Sequence, residues 1–229
     1  AYPKKTNNEL KNFSFNIFVN DLEIKLNNFE KIDKKTSSSI HPMHVYTYSS
    51  KDILVLPSGT YNVKISKDSK LGGNPILVRV VRSGRKSKKN IKEEVVFSLD
   101  KNHRAFNPLF QEYFINDKHS TVMPLYYVLD SVNSLFFNKS NDFLEINIRG
   151  FHKDIYEQNK IVSMILEKNG QLDTRYHVLS IPHPSKIIDD SNYIPSRLNK
   201  IYIDNKFNNY YELKVERNKK LLIRANRIL

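Results

Sequence analysis

Glu212 and Lys214 are the residues of this chain whose types and spacing best suit a chemical reaction. They are separated by one residue in the segment 211–215, where apolar and charged side chains alternate as in a half-buried strand. Asp190 and Asp204 precede them in the sequence. Two carboxylates can hold Mg²⁺ while a lysine orients the attacking water, and together these groups suit the hydrolysis of a phosphodiester.

The pattern of an aspartate followed by an E-x-K strand resembles the core of the PD-(D/E)xK nucleases. This resemblance implies a Mg²⁺-dependent DNA nuclease whose catalytic residues would be Asp204 or Asp190, then Glu212 and Lys214, although the proline–aspartate dipeptide of that family is missing. The same alternation also predicts an ordinary strand, with Glu212 and Lys214 in water and Leu213 in the core. We favour this second interpretation, which leaves the chain without a catalytic residue.

The chain is strongly basic, with 37 Lys and Arg residues against 24 Asp and Glu and a formal net charge of +13. Such a surplus favours association with polyanions, which means nucleic acid, anionic lipid or acidic glycan. The densest basic segment is predicted to be a loop between two strands, where its side chains could hold phosphates. The candidate binding residues are Arg79, Arg82, Arg85, Lys86, Lys88 and Lys89. Two explanations need no ligand. The basic segment can be the solvated end of a hairpin, and an AT-rich genome encodes many lysines whatever the protein binds.

No metal or cofactor is predicted, apart from the Mg²⁺ of the nuclease alternative. The chain contains no cysteine, which excludes disulfides and thiolate ligands. His41 and His44 are separated by a proline at position 42, so no regular helix can present both imidazoles to one metal ion. No apolar run approaches the roughly 20 residues that a membrane-spanning helix needs.

Turn signals divide the chain into predicted strands. Asn20-Asp21 separates two alternating segments, and Asn169-Gly170 is a strong hairpin signal between the apolar segments 161–166 and 176–181. The segment 52–66 predicts a further hairpin, because Pro57 and Gly59 suit a type I turn between two apolar runs. In that hairpin Val63 and Ile65 alternate with polar residues and are expected to be buried.

One segment has the spacing of a helix. The apolar residues of 124–137 fall on one face at helical intervals, and Pro124 suits a first helical turn. The predicted fold is therefore mainly β, with antiparallel β-sandwiches and one central helix at about 124–137. We expect an N-terminal β-sandwich unit in 1–100, a helical connection or insertion in 101–140, and a C-terminal β unit in 141–229 packed on the first.

The function that this composition favours is binding. We expect a non-enzymatic β-sandwich protein that acts as a structural, assembly or partner-binding component, of the bacterial envelope, secreted or phage-particle type. Its expected partners are other proteins of an assembly. The Mg²⁺-dependent nuclease and a polyanion- or glycan-binding module stay open as alternatives.

Overall fold

The computed structural model of the chain describes residues 14–32, 47–67, 92–95, 112–116, 125–131, 134–137, 143–187, 192–204 and 211–228. Within these ranges the chain forms strands and turns and no helix, which confirms the prediction of a mainly β protein. Every strand pair with a described register is antiparallel. In this part of the chain no helix is long and apolar enough to cross a membrane.

The strands are β1 (Phe15–Val19), β2 (Leu22–Leu26), β3 (Phe29–Ile32), β4 (Thr47–Ser50), β5 (Asp52–Val55), β6 (Val63–Lys67), β7 (Lys92–Val95), β8 (Glu112–Asn116), β9 (Leu125–Asp130), β10 (Leu135–Phe137), β11 (Phe143–His152), β12 (Lys160–Lys168), β13 (Gln171–Ser180), β14 (Lys186–Ile187), β15 (Ile194–Pro195), β16 (Asn199–Asp204), β17 (Tyr211–Val215) and β18 (Lys220–Ile228).

The chain divides into two compact units, of which unit 1 comprises residues 1–53 and 60–79. It contains a three-stranded sheet in the order β2-β1-β6 and the pair β3-β4. Asn20 and Asp21 both have positive φ and turn β1 back along β2, as predicted. Val19, Ile24 and Leu26 are buried on this sheet. The carboxylate of Asp52 accepts hydrogen bonds from the backbone N–H groups of residues 27 and 28, which fixes the connection between β2 and β3.

Unit 2 comprises residues 54–59 and 80–229 and contains the candidate sites. One sheet runs β10-β17-β12-β13-β5, with the boundary between the units inside β5. The other runs β14-β8-β9-β18-β11-β15, with β16 also paired to β11 and β7 to β18. Asn169 and Gly170 have φ values of 51° and 80° and join β12 to β13, which confirms the predicted hairpin. The core of unit 2 includes Leu144, Ile146 and Ile148, fully or almost fully buried on one face of β11.

The predicted central helix at 124–137 is wrong, because this segment forms β9 and β10. Tyr126, Val128 and Leu129 are all buried, so β9 is covered on both faces. A strand that is apolar on both faces places apolar residues at helical intervals too, and the aromatic and β-branched side chains favour the strand.

The predicted hairpin at 52–66 is also wrong. β5 joins the sheet that contains β13, whereas β6 pairs with β1. Val63 and Ile65, which were expected to be buried, are 49% and 37% exposed. The turn signal was local, and distant partners determine where the flanking strands pair. The predicted division at residues 100 and 140 and the stacking of the sheets as a sandwich stay predictions.

Candidate functional site

The loop between β11 and β12, residues 153–159, is held in one conformation by two of its own carboxylates. Asp154 accepts a hydrogen bond from the backbone N–H of Tyr156 at 2.8 Å, which forms a local side-chain turn. Glu157 accepts hydrogen bonds from the backbone N–H of Lys153 at 2.5 Å and from the Lys160 ammonium at 2.7 Å. These contacts close the loop at both of its ends.

The same loop presents two apolar side chains to solvent. Tyr156 is 91% exposed and Ile155 is 44% exposed. We call Ile155 and Tyr156 the loop tip. Folding gains little from side chains in water, since apolar stabilisation scales with the area removed from solvent. The loop therefore displays an aromatic and a branched aliphatic group on an ordered support.

Beneath the loop lies a buried chain of polar groups. His152 and Ser180 are both 0% exposed, and Nε2 of His152 lies 2.8 Å from Oγ of Ser180. Nδ1 of His152 lies 3.5 Å from Oε2 of Glu157, the residue that closes the loop. We call Ser180, His152 and Glu157 the buried chain. It connects the end of β13 through the end of β11 to the loop.

The backbone around the buried chain has no spare room. A Cβ atom at Gly150 would overlap Oγ of Ser180 and would lie 3.1 Å from its Cβ. The backbone N–H of Gly150 also donates a 2.7 Å hydrogen bond to Oγ of Ser196. Glycine is required at position 150 because the backbone of β11 approaches two serine side chains closely.

The pKa values of the buried chain follow from this environment. The pKa of His152 is lowered to about 4, first by burial and then by the nearby Lys160 ammonium, while the carboxylates of Glu157 and Asp154 oppose the shift. For Glu157 burial raises the pKa, but the hydrogen bonds from Lys160 and from the backbone of Lys153 outweigh it and leave the pKa below its usual value. His152 is therefore neutral and Glu157 ionised near neutral pH.

A serine, a neutral histidine and a carboxylate in this order are the groups of a nucleophilic catalytic triad. A reacting carbonyl must lie next to the nucleophile oxygen and a set of oxyanion donors. Ser180 is fully buried and in contact with the Gly150 backbone, so a substrate has no space at its Oγ. The geometry instead suits a structural role, in which the buried chain fixes the loop to the core.

The residues predicted from the sequence form a second polar cluster. Lys214 Nζ lies 2.9 Å from Oε2 of Glu167 and 3.3 Å from Oε2 of Glu212. Glu167 and Glu212 are directly opposite on β12 and β17. We call these three residues the ion triplet. Burial lowers the pKa of Lys214, but hydrogen bonds and charge interactions with the two carboxylates outweigh it and raise the pKa overall.

The second carboxylate beside Glu212 thus comes from Glu167, which sequence reasoning did not select. Asp190 lies outside the described residues, and Asp204 is placed in β16 opposite Phe143 of β11, without a described side chain. The described residues contain no group of three His, Cys, Asp or Glu side chains that could hold a metal ion. The Lys214 ammonium pairs with both carboxylates of the ion triplet.

The other predicted binding residues, Arg79, Arg82, Arg85, Lys86, Lys88 and Lys89, lie outside the described residues. Sequence reasoning missed the loop tip and the buried chain. For the loop tip a signal existed: Ile155 and Tyr156 are two adjacent apolar residues inside an otherwise polar segment that starts with a lysine and an aspartate. For the buried chain there was none, because His152 and Ser180 are 28 residues apart in the sequence.

No protein-family model, curated protein or solved structure matches this chain.

Proposed function

We propose that this protein acts by binding rather than by catalysis, as a structural or assembly component that engages another protein. The β-sandwich arrangement and a location in a bacterial envelope, a secreted complex or a phage particle belong to the same proposal. The observation that carries it is the loop tip, in which Ile155 and Tyr156 project into solvent from a loop that carboxylate hydrogen bonds hold in shape.

Three properties of the loop tip support a binding role. Tyrosine is among the residues most enriched at the energetic centres of protein interfaces. An ordered loop loses little conformational entropy on binding, so more of the contact energy appears as affinity. Lys153 and Asp154, next to the tip, are exposed and charged, which resembles the polar rim around an interface core.

The geometry of the two polar clusters also supports binding over catalysis. The buried chain encloses its only hydroxyl, Oγ of Ser180, between His152 and the Gly150 backbone. The ion triplet is already neutralised in part, because Lys214 contacts both of its carboxylates. In each cluster polar side chains contact one another, His152 with Ser180 and Lys214 with Glu167 and Glu212, as in structural networks.

A location experiment tests the binding proposal directly. The tagged parent chain and the double variant Ile155→Ser with Tyr156→Ser are expressed in the source cells, and their envelope, particle and supernatant fractions are compared. We expect the parent chain in the envelope or particle fraction, and a smaller share of the double variant in that same fraction. Leu172→Ser is the matched control, because Leu172 is also an exposed apolar residue but lies on β13. Equal distributions of all three proteins would contradict the proposal.

A second experiment tests the catalytic alternatives. The purified protein is incubated with duplex DNA and Mg²⁺ at low salt, beside Glu212→Ala. It is also treated with a fluorophosphonate, beside Ser180→Ala. We expect intact DNA and no labelling in any sample. Cleavage by the parent that Glu212→Ala abolishes would establish the nuclease alternative, and labelling lost in Ser180→Ala would show a reactive serine.

A further inference from the structure

The apolar face of the three-stranded sheet in unit 1 is covered on two strands and open on the third. Val19 of β1 and Ile24 of β2 are 0% and 3% exposed. On the same face of β6, Val63 and Ile65 are 49% and 37% exposed, although Val63 is directly opposite Val19. Directly opposite residues of paired strands point to the same face of a sheet. We call Val63 and Ile65 the open apolar pair.

The backbone of β6 is directed outward at the same two positions. β6 ends the sheet order β2-β1-β6, and among the described strands it pairs with β1 alone. Asn20 and Asn62 continue the register one position beyond Val19 and Val63, and the N–H of Asn20 donates to the backbone oxygen of Asn62 at 3.1 Å. Opposite residues of an antiparallel pair alternate between hydrogen-bonded and non-bonded positions. The N–H and C=O groups of Val63 and Ile65 therefore point away from β1, toward the outer edge of the sheet.

The other face of β6 has a positive charge between these two positions. Lys64 is exposed and lies opposite Phe18 of β1. A lysine on an edge strand opposes pairing with a second copy of the same strand, because the second copy brings the same charge to the edge. The formal net charge of +13 opposes self-association further. The edge of β6 therefore favours a partner strand with a negative charge opposite Lys64.

We propose that β6 binds an extended segment of another protein as an additional antiparallel strand, and that apolar and acidic residues alternate in this segment. The main chain of the segment would pair with the outward N–H and C=O groups of the open apolar pair. Segment residues opposite Val63 and Ile65 fall on the apolar face and must be apolar to cover it. The segment residue between them falls on the other face, opposite Lys64, where a carboxylate is favoured.

Two features of β6 support strand addition over a contact of side chains alone. The outward backbone groups and the exposed apolar side chains belong to the same two residues, so one added strand covers both. The pairing of β6 with β1 also holds its backbone extended before binding, which reduces the entropy that binding must remove. β6 belongs to unit 1 and the loop tip to unit 2, so variants of the two surfaces test binding separately.

The test is titration of the purified full chain with short synthetic peptides, followed by calorimetry and by amide NMR. The first peptide alternates valine and glutamate and is capped at both ends. We expect saturable binding, with the largest amide shifts and the strongest slowing of hydrogen exchange at Val63 and Ile65. A peptide of the same composition, with its valines and glutamates in separate blocks, should bind about tenfold more weakly or worse. Absence of saturable binding of the alternating peptide up to about 1 mM overturns the proposal.

Methylation of the peptide nitrogens tests the main-chain hydrogen bonds. In the antiparallel arrangement, the valines opposite Val63 and Ile65 direct their N–H groups at β6, whereas the glutamates direct theirs away from it. N-methylation of the valines should therefore weaken binding by about tenfold, and N-methylation of the glutamates should leave the affinity within about threefold. Equal affinities of the two methylated peptides would contradict strand addition.

Charge reversal is the most specific change in the protein. Lys64→Glu should weaken binding of the valine–glutamate peptide by about tenfold and strengthen binding of a valine–lysine peptide. Lys25→Glu is the matched control, because Lys25 is an exposed lysine on the same face of the sheet but on β2. At about 0.15 M salt this control should leave the affinity within about twofold, since screening weakens distant charges. Equal effects of the two variants would show a general response to net charge and would contradict the proposal.

A double variant tests the open apolar pair and the identity of the occupant. Val63→Thr with Ile65→Thr keeps the β-branched shape that suits a strand but removes apolar surface. We expect similar thermal unfolding, because both side chains are partly in water, and binding about tenfold weaker. Equal binding by this variant and the parent overturns the proposal. A dimer of the parent alone in sedimentation, lost in the double variant, would identify a second copy of this chain as the occupant and would also overturn it.

Discussion

The buried chain and the ion triplet of unit 2 each place three polar side chains in a line, yet they differ in their contact with water. The buried chain holds two fully enclosed groups, His152 and Ser180, whereas the Lys214 side chain of the ion triplet is 36% exposed. An enclosed polar group loses its water on folding and depends on its protein partner. A half-exposed ion keeps much of its hydration and depends on its partner much less.

This contrast predicts that the buried chain contributes more to the free energy of unfolding than the ion triplet does. In the buried chain desolvation shifts the pKa of His152 most strongly. In the ion triplet the carboxylates of Glu167 and Glu212 overcome the effect of burial on the pKa of Lys214. The predictions below test that difference by free energies of unfolding.

The largest effect is expected for Gly150→Ala. The new methyl group would displace Oγ of Ser180 and break its hydrogen bond to His152. Overpacking and a lost buried hydrogen bond together should lower the free energy of unfolding by about 4 kcal/mol. Urea denaturation monitored by circular dichroism measures this free energy of unfolding in the parent and the variant.

Gly170→Ala is the matched control for this change. Gly170 has positive φ, but a methyl group there would meet no atom within 4 Å, so the cost is the backbone strain alone, about 1 kcal/mol. The double variant Gly150→Ala with Ser180→Ala should have a higher free energy of unfolding than Gly150→Ala alone, because it lacks the hydroxyl that the new methyl group would overlap. Equal costs at Gly150 and Gly170 would mean that the close contact with Ser180 is unimportant.

The second prediction concerns pH. Because the pKa of His152 falls from about 6.5 in the unfolded chain to about 4 in the folded one, the unfolded chain alone takes up a proton between these values. Protonation of His152 in the unfolded chain therefore leaves the free energy of unfolding unchanged above pH 6.5 and lowers it progressively as the pH falls to 4. The loss should be on the order of 3 kcal/mol.

Unfolding curves of the parent and of His152→Asn at pH values of about 7, 6, 5 and 4 isolate this contribution, since the other titrating groups are common to both proteins. The difference in free energy between the two proteins should shrink as the pH falls. A difference that stays constant over this whole range would show that His152 titrates normally.

A smaller effect is expected for Lys214→Met in the ion triplet. The change removes a half-exposed ion pair and leaves Glu167 opposite Glu212. Both contributions are small, so the free energy of unfolding should fall by about 1 kcal/mol or less. The loss should diminish in about 0.5 M NaCl because salt screens the remaining repulsion. A loss that salt does not change would point to packing of the lysine stem instead.

The smallest effect is expected at the loop tip. Tyr156→Ala should change the free energy of unfolding by no more than about 0.5 kcal/mol, because the ring is almost fully in water. Glu157→Gln, which weakens the closure of the same loop, should cost more than the tip variant. A large loss in Tyr156→Ala would mean that the ring packs on the protein.

The sequence was a good guide where the pattern is local. The alternation in β17 predicted its buried and half-exposed faces, and the Asn169-Gly170 turn predicted the hairpin of β12 and β13. It failed where distant contacts decide. The apolar residues of β9 match helical spacing because both of its faces are covered, and nothing near Pro57 shows that β6 pairs with β1.

The candidate sites follow the same rule. Glu212 and Lys214 were found because E-x-K is a local pattern, but their neighbour Glu167 comes from another strand. Cross-strand neighbours are fixed by register, which a single sequence does not reveal.

The turn at Asn169 and Gly170 has a consequence for the order in which unit 2 folds. Both residues adopt the positive φ values that a two-residue hairpin turn requires, so the ends of β12 and β13 meet without closure of a long loop. Such hairpins form in about 1–10 μs, whereas pairs like β11 and β18 must first bring distant segments together. We therefore expect the hairpin of β12 and β13 to form early, and β17 can then add to it through its pairing with β12.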